Sequence, residues 1–204
     1  MRSPFLSFRV LVTAFEPFGG RPENASRAIL QSLLTLDRAP GEEFEGLVLP
    51  VVYDRSAELL LEKLRSEKWD LILALGEAPE SPFRIETQAW NRDDSETPDL
   101  AGVVRKEREI IPGGPKQIPT RLPANSLFSK LQAADFPVVL SNSAGGYICN
   151  HVFYYLMHEL ETAPALKKAQ GGFLHVPIDW CTRALEGARI VQSVIRTTAF
   201  GRLL

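Results

Sequence analysis

Residues 8–15, FRVLVTAF, run through the turn EPFGGRPE into residues 24–36, NASRAILQSLLTL, and this junction decides the fold. The first piece is an unbroken apolar run of strand length, the pattern of a strand buried on both faces. The second carries a helical period behind a Gly-Gly turn and an asparagine in capping position. A buried strand feeding an amphipathic helix is half of a βαβ unit, and the following residues supply the rest. Residues 44–52 read as the next strand. Residues 54–67 (DRSAELLLEKLRSE) read as a helix with Leu59, Leu60 and Leu64 on one face, and residues 69–75 (WDLILAL) as a central strand.

The alternation breaks between residues 76 and 123. Residues 83–90 suit a strand or hairpin arm, and residues 91–123 are rich in Pro, Gly, Asp and Glu. A structureless loop of that length is unusual in a compact domain, so an ordered excursion near a functional or subunit surface is expected. Beyond it, residues 124–134 read as a helix, 138–143 as a strand, 149–161 as a helix, 172–178 as a strand and 182–198 as a closing helix. The pattern predicts a single domain over residues 1–204. Its class is α/β, an α/β/α sandwich of five βα units with a largely parallel, doubly wound sheet. Ligands of such sheets bind beyond the carboxyl ends of the strands.

Composition narrows the function. The chain has 204 residues, 45% hydrophobic and 24% charged, and its net charge of -2 comes from 23 basic and 25 acidic side chains. No basic field is present to attract nucleic acid or anionic lipid, and neither partner is expected. The amino terminus lacks the apolar core and cleavage site of a secretory signal. No run approaches the roughly 20 apolar residues that span a bilayer. Two cysteines, Cys149 and Cys181, do not make a disulfide scaffold, so a reducing cytoplasm is the expected compartment. The sequon at Asn24 carries no meaning without export.

Cys149 follows SNSAGGYI, where Gly145 and Gly146 permit a tight turn that frees backbone N–H groups. A helix starting there puts the sulfur at the positive end of the helix dipole, a setting that favours a thiolate. Position alone leaves a buried structural thiol open. A nucleophile needs a base, and the histidines are His151, His158 and His175. His151 and His158 lie on the helix of the cysteine and read as helix-surface or interface residues. His175 ends the strand GGFLHVP at a carboxyl edge, where a partner for the thiol belongs. Glu86 is one of several groups that can orient the imidazole. The cysteines and histidines lack zinc spacing, and Gly19-Gly20 and Gly113-Gly114 do not form a phosphate cradle, so neither metal nor cofactor is expected. Most aromatics read as core, whereas Phe15 and Phe18 leave the first strand at the carboxyl edge. Cys181 reads as a structural thiol.

Four ordered segments, LVTAFEPFGG at 11–20, LPVVYD at 49–54, SNSAGGYICNHVFYYLMH at 141–158 and GGFLHVP at 171–177, resemble those of the pyroglutamyl peptidase I family of cysteine peptidases. The resemblance implies removal of N-terminal pyroglutamate from peptides by a triad of Cys149, His175 and Glu86, without metal or cofactor. It further implies that Phe15 and Phe18 sandwich the pyrrolidone ring, that Asn24 borders the pocket and that Tyr147 and Ile148 complete it. Homotetrameric assembly belongs to the same implication. Two segments depart from the family. Its glycine-rich GQAGGR is replaced here by Gly76-Glu77-Ala78-Pro79-Glu80-Ser81, and its NxxDARIPDN by residues 91–100, with Glu96 where the family has arginine. The second change places an anion near the expected oxyanion region, with Arg84 or Arg92 as replacement cations. These departures motivate an alternative, a non-catalytic or specificity-shifted homologue that binds a lactam or a peptide terminus.

Overall fold

A computed structural model describes residues 7–79 and 82–200, so Glu80 and Ser81 of the departing segment lie outside the described residues. In chain order the elements are β1 (Phe8–Phe15), α1 (Ala25–Thr35), β2 (Glu42–Leu49), α2 (Arg55–Ser66), β3 (Leu71–Ala78), β4 (Phe83–Glu86) and β5 (Gln88–Trp90). There follow β6 (Asp93–Ser95), β7 (Arg105–Arg108), β8 (Gln117–Pro119), α3 (Ala124–Ala133), β9 (Val138–Ser141), α4 (Ile148–Thr162), β10 (Gln170–Pro177) and α5 (Ala184–Phe200). A 3-10 turn over Ile178–Arg183 precedes α5, where the sequence pattern starts the helix at 182.

Six strands form one sheet in the order β2-β1-β3-β10-β4-β9. The first four are parallel, as the alternating strands and helices predict. β4 is antiparallel to β10, and β9 runs with β4. Five uniform βα units are therefore not formed. Only residues 79–82 separate β3 from β4, and a parallel return needs a crossover of about a dozen residues or more. The excursion is ordered: β5 pairs with β8 and β6 with β7 in two small antiparallel sheets.

Helices α1, α3 and α5 cover one face of the sheet and α2 and α4 the other. The period of two along each strand sorts the core between them. Val10, Val12, Leu71, Leu73, Leu75, Leu174 and Val176 are buried under α1 and α5, while Leu11, Phe15, Ile72, Ala74 and Phe173 face α2 and α4. Among the described residues, no helix is long and apolar enough to cross a membrane.

Candidate active site

Strand alternation places the chemistry on one face. In β10, Phe173 and His175 share the α4 side; in β3, Gly76 follows Ala74 on that side; in β4, Glu86 lies opposite Phe173 in register and Arg84 opposite His175. α4 descends onto this face with Tyr147 as its N-cap and Cys149 in its first turn. The sulfur packs against Gly76, at which a β-carbon would stand 2.6 Å from Sγ.

His175 joins the other two groups. Its Nδ1 lies 2.7 Å from Oε1 of Glu86, a carboxylate with no solvent exposure. Cys149 is the leading group that raises the pKa of the ring, which places thiol and imidazole as neighbours. Burial of His175 disfavours its charged form, but the opposing charge and hydrogen bond of Cys149, followed by those of Glu86, outweigh that penalty and push its pKa up to about 9. A carboxylate, an imidazole and a thiol in this order can hold an imidazolium beside a thiolate and move a proton between sulfur and substrate.

Cys149 and His175 open onto a cavity of ≈ 280 Å³ that Phe15, Phe18, Asn24, Tyr147 and Ile148 also line. Glu86 sits behind His175 and is absent from that lining. Asn24 caps α1, its Oδ1 accepting from the Ser26 N–H at 3.0 Å and the Ser26 hydroxyl at 2.6 Å, while Nδ2 donates to the Glu16 carbonyl at 3.2 Å. The sequon asparagine is thus committed to structure. Phe18 and Tyr147 face one another with ring centroids 6.3 Å apart, and the Tyr147 hydroxyl donates to the Pro98 carbonyl at 3.0 Å.

Of the three departing carboxylates, Glu77 and Glu96 lie among the described residues and differ in placement. Glu77 lines the cavity, but its side chain is 3% exposed and occupied. It pairs with Arg21 and accepts from the backbone N–H of Ala25, the first residue of α1. The Arg21 guanidinium lies 5.7 Å from the centroid of the Phe18 ring. Glu96 is 86% exposed, bound to Lys106 at 2.5 Å, and does not line the cavity. The expected anion near the oxyanion region therefore points into solvent, because the β6–β7 ladder ends at Ser95 and turns the next side chain outward. Of the two replacement cations, Arg84 lines the cavity, whereas Arg92 lines a neighbouring one and is paired with Asp94 and Glu107.

His151 is not a helix-surface residue. It is fully buried, with Nδ1 at 2.9 Å from Asp93, because the excursion folds over α4. Buried Arg105 bridges Asp93 and Asp54 and lies 4.5 Å from the Tyr53 ring centroid. His158 is partly exposed and stacks on Tyr154 with ring centroids 6.3 Å apart. Two positions escaped sequence reasoning. Gly76 makes room for the sulfur, and Asn150, next to the cysteine, ties α4 to the excursion. The Asn150 Oδ1 accepts from the Trp90 N–H at 3.0 Å and its Nδ2 donates to the carbonyls of Trp90 and Arg92 at 2.9 Å. Only the strand order, in which β10 inserts beside β3, brings Gly76 to Cys149.

A family model described as pyroglutamyl peptidase matches residues 8–189. The pyrrolidone-carboxylate peptidase of Pyrococcus furiosus is 38% identical over 170 residues, 83% of this chain and 80% of that protein. The Erwinia tasmaniensis protein of the same name is 36% identical over 170 residues, 83% of this chain and 78% of that one. Among solved structures, the pyrrolidone carboxyl peptidase of Fervidobacterium islandicum superimposes with a TM-score of 0.85 at 30% identity, covering 93% of this chain and 99% of that one. Pyroglutamyl peptidase I of Bacillus amyloliquefaciens gives 0.85 at 26% identity, covering 95% and 96%.

Proposed function

The chain belongs to the pyroglutamyl peptidase family, and from that premise we propose that it is a cysteine-type omega peptidase that removes N-terminal pyroglutamate from peptides. The carrying observation is the line Glu86–His175–Cys149 opening into a cavity walled by Phe15 and Phe18. In this reading those three residues are the triad. The uncharged pyrrolidone ring lies between the aromatic walls, with Asn24, Tyr147 and Ile148 completing its pocket.

The Cys149 thiolate attacks the carbonyl carbon of the pyroglutamyl residue. Backbone N–H groups between Tyr147 and Cys149 hold the resulting oxyanion, each contributing about 3 kcal/mol when preorganised. The His175 imidazolium gives its proton to the departing amine nitrogen as the C–N bond breaks, leaving a thioester on Cys149. Water, deprotonated by the now neutral His175, attacks the thioester and releases pyroglutamate, and Glu86 holds the ring in the tautomer that both steps need. Glu77 adds no free negative charge to the pocket, since Arg21 and the α1 N-terminus neutralise it.

The test is hydrolysis of a pyroglutamyl amide beside the prolyl amide. Cleavage of the first alone, lost in both Cys149→Ala and His175→Ala, is expected; full activity in either variant refutes the triad. The family resemblance favours a homotetramer and the two unpaired cysteines favour a reducing cytoplasm, checked by light scattering on the purified protein and by fractionation of cells.

A further inference from the structure

A second cleft opens beside the cavity of Cys149, of ≈ 390 Å³ and lined by Trp90, Arg92, Asp94, Asn142, Ser143, Gly145 and Gly146. It shares Ser143 and Gly145 with the first cavity, so the two adjoin at the turn that leads into Cys149. A peptide whose first ring fills the cavity with its scissile carbonyl at Cys149 extends its next residue beyond the cavity, and this cleft adjoins it at Ser143 and Gly145, within six residues of Cys149 in sequence. Gly145 has φ +82° with open space where a side chain would stand, which leaves the passage clear. The wall is fixed, since the Asp94 N–H donates to the Gly146 carbonyl at 2.8 Å.

Trp90 is the distinctive feature of the cleft. Its backbone N–H donates to Asn150 at 3.0 Å and its indole N–H to the Asn142 carbonyl at 2.8 Å, yet the residue is 37% exposed. An indole whose only donor is already engaged offers a neighbour its ring face. Across the cleft, the single cation Arg92 carries both Asp94 at 2.7 Å and Glu107 at 3.3 Å, so local charge does not favour an acidic guest.

We propose that this cleft is the subsite for the residue that follows pyroglutamate, and that the locked Trp90 indole gives it a preference for an aromatic side chain. The proposal rests on the peptidase reading. Its test compares kcat/KM for pyroglutamyl-phenylalanine amide and pyroglutamyl-alanine amide in the wild type, Trp90→Ala, Trp90→Leu and Leu140→Ala. Leu140 lines a separate opening that also adjoins the first cavity through Arg84. Ring stacking predicts a wild-type preference for phenylalanine of about fivefold, reduced to below about twofold in Trp90→Ala. Trp90→Leu, which keeps apolar bulk without an aromatic face, is expected to behave like Trp90→Ala, and Leu140→Ala like the wild type. Turnover of the alanine substrate reports that each variant is folded. A preference that survives both Trp90 substitutions, a preference lost only in Leu140→Ala, or equal wild-type rates overturns the subsite. Wild-type failure on both substrates overturns the peptidase reading beneath it.

Discussion

Gly76 on β3 and Cys149 on α4 are packed so closely that a methyl group on the glycine would stand 2.6 Å from the cysteine sulfur and 2.7 Å from Cζ of Phe173. Gly76→Ala therefore has to displace the thiol, the aromatic ring or both. Misplacing a nucleophile by about an ångström costs on the order of 100-fold in rate. Overpacking beside Phe173 adds about 1–3 kcal/mol of destabilisation. Steady-state kinetics alongside thermal melts check this, and near-normal kcat in a folded Gly76→Ala protein contradicts the packing.

In the proposed triad, His175 ties catalysis to pH. With its pKa raised from an ordinary 6.5 to about 9, the imidazolium is the populated form at neutrality. A raised folded pKa contributes stability that is fully present below about 6.5 and is lost as pH rises through about 9. Both kcat/KM and melting temperature are accordingly expected to decline on the alkaline side of neutrality. Cys149 is the leading group that raises the value, ahead of Glu86. Nuclear magnetic resonance titration should find the His175 midpoint lower in Cys149→Ala and lower also in Glu86→Gln. An unmoved midpoint in Cys149→Ala would mean that thiol and imidazole are not partnered.

Much of this site is legible in the sequence, for local reasons. Asn24, Phe15 and Phe18 flank a single strand-to-helix turn, and Cys149 stands at a glycine-marked helix start, so spacing along the chain nearly fixes their surroundings. The partners of Cys149 are not local. Glu86 meets His175 across an antiparallel pairing of β4 with β10 that no periodicity announces, and only family resemblance picked it from the other carboxylates. His151 is misread from helical period because its cover, Asp93 and Arg105, comes from the excursion, whose ordering depends on contacts such as those of Asn150. Helix and strand existence came from pattern, whereas the reversal of β4 follows from a connection too short to cross over, and β9 takes its direction by pairing parallel to β4.

Glu77 and Arg21 act together on Phe18. Glu77 accepts from the α1 N-terminus and holds Arg21, whose guanidinium lies over the Phe18 ring. Glu77→Gln keeps the size but loses the charge that retains Arg21, so Phe18 is left free to swing from the pocket. For an ion pair with one partner about a third exposed, a coupling near 1 kcal/mol is reasonable. KM for pyroglutamyl substrates should rise about two- to fivefold in Glu77→Gln and in Arg21→Ala, with kcat nearly unchanged. The double variant should be no worse than either single one; additive losses would show that the two side chains act separately.

The buried Asp93 supports the excursion rather than the chemistry. It is fully buried between His151 and Arg105, and its loss leaves Arg105, which is 6% exposed, with surface Asp54 as its one counterion among the described residues. Removing one member of such a buried pair costs about 3–5 kcal/mol. Asp93→Ala should lower the denaturation midpoint by a corresponding amount while leaving the His175 titration of the folded fraction in place. A variant as stable as the wild type would contradict the pairing.

Glu96 stands where the family resemblance implies an arginine, yet its carboxylate is 86% exposed and bound to Lys106. An exposed ion pair of this kind is worth between zero and about 1 kcal/mol, and the field of one solvated carboxylate is largely screened beyond about 8 Å at physiological salt. In the proposed mechanism, a reversed charge at this position therefore has little leverage on the oxyanion. Arg84, which lines the same cavity as the thiol, is the better-placed cation. Glu96→Gln is expected to alter kcat/KM by less than about twofold at physiological ionic strength, whereas Arg84→Ala is expected to lower it well beyond that. A large gain of activity in Glu96→Gln, fading as salt is added, would instead show that this carboxylate acts on the site through space.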